Sequence, residues 1–213
     1  MAVQGALVWI CSLAVLSFSA AQDETLLQNC SSQIQLLEHL TSNLKQEVAE
    51  CAWSSEQTAG LLLTLRNLTD TLHRHQLREC QGAEPQKCPE AEVPENGGLL
   101  CVTVSSTRYC KPMCNHGHDF TFLRRSRLYD ECSEQTGFKW PASQFIGGNR
   151  WAVCDKAQIQ ISAAASAYFS KDQDCLTTKS SSLLDSVIKG DFISELRKAG
   201  VQGEAKSDCL VCG

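Results

Sequence analysis

LLCVTVSSTRYCKPMC, residues 99–114, joins a β-prone run at 99–104 to three cysteines, Cys101, Cys110 and Cys114. Val and Thr favour a pleated, half-buried surface. Cysteines clustered around such a run suggest short strands held by sulfur cross-links. Further β-prone runs follow at 150–154 and at 158–162, where Ile159 and Ile161 alternate. Turn residues Gly147, Gly148 and Asn149 lie between the earlier runs and these. Residues 99–175 therefore predict a small, mostly β, disulfide-stapled module.

The chain carries 13 cysteines. Cys11 sits in an N-terminal apolar run, and the other twelve are Cys30, Cys51, Cys80, Cys88, Cys101, Cys110, Cys114, Cys132, Cys154, Cys175, Cys209 and Cys212. An even number behind a secretory leader predicts disulfides made in an oxidising compartment. Residues 2–20 are apolar or small and uncharged, and Ser19 and Ala21 precede Gln22 at the spacing of a cleavage site. Residues 1–21 therefore read as a signal peptide. An uncleaved anchor is the competing reading, because the run approaches the length of a membrane span and lacks Lys or Arg ahead of it. No second apolar run of that length occurs, so a secreted, extracellular product with no stable membrane span is expected. A net charge of −5 argues against nucleic acid as the main partner.

Residues 22–80 predict a long or broken helix. Ser32 and Gln35 form a capping-box pair, and a seven-residue step runs through Cys30, Leu37, Leu44, Cys51, Thr58, Leu65 and Leu72. Such a row makes one apolar seam that needs a partner. A coiled-coil-like stalk that forms a homo-oligomer is one reading; a hairpin around 53–60 packed on its own chain is the other. Trp53-Ser54-Ser55 marks a plausible break. Cys30 and Cys51 share the row, so interchain disulfides between copies and pairing within one chain stay equally open.

Residues 81–98 hold three prolines, several glutamates and a closing Gly-Gly, and read as a linker. Cys88 is expected to pin it locally, with Cys80 as a candidate partner. Residues 176–213 predict an amphipathic helix and a Cys-x-x-Cys tail. Ser182 with Asp185 suggests its start, Leu184, Ile188, Phe192 and Leu196 recur every four residues, and Gly200 suggests its stop. The fold class expected from these pieces is α+β.

The run Cys110-Lys-Pro-Met-Cys114-Asn-His-Gly117-His-Asp-Phe120, with Cys132, Gly137-Phe-Lys-Trp140 and Cys154, resembles a sushi (complement control protein) module over residues 101–154. His118 stands where that family usually has Tyr. The resemblance implies the pairs Cys101–Cys132 and Cys114–Cys154, a buried Trp140 and a turn at Gly117. It also implies binding to proteins or glycans with no chemistry performed.

Cys110, Cys114, His116 and His118 could be drawn as a zinc site, but in an oxidising compartment disulfides are expected, with no metal and no cofactor. Cys209-x-x-Cys212 has only Gly213 behind it, so no helix N-terminus depresses a thiol pKa. A bridge to Cys175 or to another subunit is expected there, and thiol-redox chemistry is the weaker alternative. Asn67 and Asn29 open glycosylation sequons. Arg124, Arg125 and Arg127, with Arg108, Lys111 and Lys139, suggest a basic patch for a sulfated glycan or acidic protein. The expected function is extracellular recognition of a protein or glycan ligand by a protein that is not an enzyme. A structural subunit of a matrix or coat is the alternative.

Overall fold

The computed structural model describes residue 35 and residues 38–126, 128–141 and 152–213. The signal-peptide segment, the Ser32 cap, Asn29, Cys30, Arg127 and the 147–149 turn lie outside the described residues. The chain divides into two compact units, residues 1–64 and 65–213.

Within the first unit, residues 38–50 are helical (α1) and residues 51–54 are not. Ser54 explains why a new helix starts there. Its Oγ accepts from the Gln57 N–H at 3.2 Å, and its own N–H donates to Gln57 Oε1 at 3.0 Å. This reciprocal box satisfies two backbone donors at the start of helix α2, Ser55–Cys80. The interruption falls where Trp53-Ser54-Ser55 suggested it, so the seven-residue row does not run along one helix.

The second unit is built on a four-stranded antiparallel sheet in the order β4-β2-β1-β6. Its strands are β1 (Gly97–Val104), β2 (Thr107–Cys114), β4 (Asp130–Cys132) and β6 (Ala205–Cys212). A second, two-stranded sheet pairs β3 (His118–Phe120) with β5 (Cys154–Lys156). Helices α3 (Cys175–Ser180) and α4 (Ser182–Lys198) follow in sequence. The α+β class is thus present.

Every residue of β1 is buried, because the strand has neighbours on both edges and cover on both faces. Successive side chains alternate between those faces. Leu100, Val102 and Val104 join Tyr109, Met113, Phe169, Phe192, Leu196 and Leu210 in one core. Leu99 and Cys101 join Cys110, Cys132, Trp140 and Cys209 in the other. The first face is covered by α4 and the second by the 81–96 segment. That segment packs Cys88, Ala91 and Val93 against the sheet, beside Cys80 at the end of α2, so it behaves as a strap. Gly97 and Gly98, expected to close the linker, instead open β1. A Cβ on Gly98 would lie 2.4 Å from Cys175 Sγ and 3.3 Å from Phe169 Cζ, which explains the missing side chain.

The C-terminal cysteine tail is β6. It pairs antiparallel with β1, from Gly98 opposite Cys212 to Val104 opposite Ala205. As an edge strand it exposes backbone groups on one side, and several are taken by side chains. Gln76 Oε1 accepts from the Cys212 N–H at 3.1 Å, His73 Nδ1 donates to the Cys212 carbonyl at 3.0 Å, and Lys179 Nζ donates to the Leu210 carbonyl at 2.6 Å.

Two element readings need correction. Residues 158–162 form no strand: Ile159 and Ile161 are exposed. The N–H groups of Ile161 and Ser162 donate to the Asp119 carboxylate rather than to a neighbouring strand. Helix α4 is capped by Ser181, not Ser182; the Ser181 Oγ accepts from the Leu184 N–H. Its stop is as expected. Gly200 has φ 92°, and Val201 N–H closes back on the Leu196 carbonyl.

Candidate functional site

Five disulfides hold the second unit together: Cys80–Cys209, Cys88–Cys132, Cys101–Cys110, Cys114–Cys154 and Cys175–Cys212. The pair Cys114–Cys154 is the one that the sushi resemblance implied, and Trp140 is buried and Gly117 takes φ 81° in a turn, as it also implied. The implied Cys101–Cys132 pair is not found. Cys101 and Cys110 stand directly opposite each other across the β1–β2 ladder, so proximity joins them. Cys132 is then reached by Cys88 from the strap. Cys80, a candidate partner for Cys88, bonds Cys209 instead.

The Cys-x-x-Cys motif is split by strand geometry. Cys209 and Cys212 are three positions apart in β6, so they point to opposite faces of the sheet. Cys209 lies in the strap-side core and Cys212 in the helix-side core. Each bonds a different partner. The zinc drawing loses its thiolates in the same way, because Cys110 and Cys114 are in separate disulfides; His116 is exposed. Cys51 is an exposed free thiol.

Of the six expected basic-patch residues, the five that are described, Arg108, Lys111, Arg124, Arg125 and Lys139, are not brought together. Arg124 is buried and pairs with Asp130 at 3.5 Å, close to the Phe120 ring. Lys111 is buried on the helix side, with Glu195 at 2.7 Å and the Phe192 ring beneath it. Burial pushes the Lys111 amine pKa down, against the opposing pull of Glu195. Arg108 is buried on the strap side. Arg125 is exposed and donates to the Ile161 carbonyl; Lys139 is exposed. Sequence reasoning missed the partners because Glu195 lies 84 residues from Lys111.

Asp119 organises the loop at 158–163. Its carboxylate accepts from the N–H groups of Phe120, Ile161 and Ser162, from Ser162 Oγ and from the Tyr168 hydroxyl. Burial alone would raise its pKa. The bonds from Tyr168, Ile161, Ser162 and Phe120 overcome that and hold it down to about 2. The Tyr168 hydroxyl is pushed up to about 12 by burial and by the same carboxylate. A carboxyl held below its ordinary value stabilises the fold above that value and stops doing so as pH falls through the folded one. The contribution, about 2 kcal/mol, should be present above about pH 4 and fade towards pH 2. Urea unfolding of the wild type and of Asp119→Asn should show that gap at pH 6 and a smaller one at pH 2. A gap that ignores pH would contradict this role.

A cavity of about 300 Å³ lies between the strap and the sheet. Its walls include Leu77, Pro85, Leu99, Trp140 and Val211, together with cysteines of three disulfides. Trp140 fixes the strap above it by donating from Nε1 to the Pro89 carbonyl at 2.7 Å. Arg108 lines the same cavity. A broader, more open groove follows α2 and strap residues 90–95, with Leu72, Leu77, Val93 and Leu176 among its walls.

On α2, Leu65, Leu68 and Leu72 are 44%, 49% and 55% exposed, and Asn67 is exposed beside them. His73, Gln76, Leu77 and Cys80 form a different stripe, half-buried within the second unit. Among the described residues, no helix is long and apolar enough to cross a membrane.

No family model, no curated protein and no solved structure matches this chain.

Proposed function

We propose that this chain is a secreted, disulfide-rich glycoprotein that binds extracellular protein or glycan ligands and self-associates through its N-terminal helical region. The observation that carries the reading is the row Leu65, Leu68 and Leu72, spaced by three and four residues and left in water on α2. That spacing is a coiled-coil seam, and a second copy of the same helix fits it best because it supplies the same row. The exposed free thiol of Cys51 lies in the non-helical break ahead of α2 and suits a covalent link between copies. Asn67 falls two residues past Leu65, off the seam, where a glycan would not block a partner helix.

Five disulfides and the leader support export. A sheet so heavily cross-linked presents a rigid surface. Several copies of it would raise the avidity of a weak site by about 10² or more without any new contact.

Light scattering of the purified secreted chain tests the association. The wild type should run as an oligomer, and Leu65→Glu with Leu68→Glu should run as a monomer with its disulfides intact. A wild-type monomer at micromolar concentration would contradict the proposal.

A further inference from the structure

Arg108 poses a problem of charge. It is only 7% exposed, and a guanidinium stays protonated in proteins. Its bonds go to neutral acceptors: Thr103 Oγ1 at 3.3 Å, Cys209 Sγ at 3.2 Å and the Cys80 carbonyl at 3.5 Å. Among the described residues, no carboxylate lies within ion-pair distance. The fold treats its other two buried cations differently, giving Glu195 to Lys111 and Asp130 to Arg124. A buried cation without a counter-charge is costly. Burial accordingly pushes the Arg108 pKa down.

The space beside this cation is apolar. The cavity lined by Arg108 is walled by Leu77, Leu99, Trp140 and Val211. Its volume is at the lower end of the range for small-molecule sites. Such a site is a greasy pocket with one convergent charge. We infer that the cavity beneath the strap binds a small amphipathic monoanion, its carboxylate or sulfonate head on Arg108 and its apolar body against Trp140 and Leu99. Exposed Glu90 at the cavity rim, held by Gln81, disfavours a second negative charge. The ligand is thus a single-headed acid with a short hydrocarbon body rather than a polyanion such as a phosphate ester or sulfated glycan. It is distinct from the protein or glycan ligand proposed above.

Isothermal titration calorimetry of the full secreted chain with octanoate, octanol and octylamine tests the site. Octanoate should bind more tightly than octanol by about tenfold or more, and octylamine more weakly still. Arg108→Gln should abolish the preference for octanoate while leaving octanol binding in place. Ala83 lines the same cavity, and Ala83→Phe, which fills the cavity and keeps Arg108, should remove octanoate binding. Equal affinity for octanoate and octanol would overturn the inference, as would a preference that survives either substitution. So would the absence of octanoate binding to the wild type at millimolar concentration. If Arg108→Gln is not secreted, the octanoate-to-octanol ratio on the wild type and the Ala83→Phe result still decide.

Discussion

Replacing Cys80 and Cys209 with serine together will cost the second unit about 4 kcal/mol, the largest loss expected from any single bridge. The two sulfurs are 129 positions apart in sequence. The other bridges already shorten that path. Through Cys88–Cys132 and Cys175–Cys212 the remaining loop is roughly fifty residues, and closing it in the unfolded chain accounts for most of the estimate. The bridge also has a native-state role. It ties the end of α2 to β6, the edge strand whose Cys212 backbone is covered by Gln76 and His73. Replacing both cysteines avoids a leftover thiol that would exchange with neighbouring bridges. Thermal unfolding of the secreted variant, or its failure to be secreted, checks the expectation. An unchanged melting temperature would show that the α2 anchor contributes little.

Trp140→Ala should cost about 3–5 kcal/mol, the range for deleting a large buried aromatic. The indole is 1% exposed and sits in the strap-side core with Leu99, Cys101, Cys110 and Cys132. Its Nε1 bond to Pro89 is a main tie between the 133–140 loop and the strap. The variant should therefore lose more than stability. Hydrogen exchange at residues 81–93 should rise selectively, while the helix-side core around Phe192 and Leu196 stays protected. Uniform loss of protection across both faces would mean that the two cores do not respond separately.

Much of the second unit was legible in the sequence where one signal dominated. The 99–104 run holds only Leu, Cys, Val and Thr, with no charge, Gly or Pro, and it makes up most of β1. The four-residue recurrence through Phe192 and Leu196 marks the buried face of α4, while Leu183 and Val187 beside it stay exposed. Its cap was misplaced by one residue because Ser180, Ser181 and Ser182 are equivalent candidates by composition. The fate of β6 was harder to see. Cys209-Leu210-Val211-Cys212 is an apolar run, but it covers only half of the eight-residue strand, four apolar residues in a row carry little periodicity, and the partner β1 lies about a hundred residues away. The charged residues misled for a related reason. Arg108, Lys111 and Arg124 look like surface cations in sequence, and only the tertiary fold brings Glu195 and Asp130 to two of them. At 158–162 the alternation of Ile159 and Ile161 predicts a strand, but Asp119 takes two of the backbone donors that a neighbouring strand would need.

The central claim is that the last strand is stitched to both layers of the fold, with its two cysteines serving opposite faces of one sheet. A non-reducing chymotryptic digest, cut after Leu210 and read by mass spectrometry, tests it directly. The account predicts one linked set of three peptides, 78–99 with Cys80 and Cys88, 130–138 with Cys132 and 197–210 with Cys209, and a separate pair carrying Cys175 and Cys212. Recovery of Cys209 bonded to Cys212, or of either thiol free in the secreted chain, would contradict it.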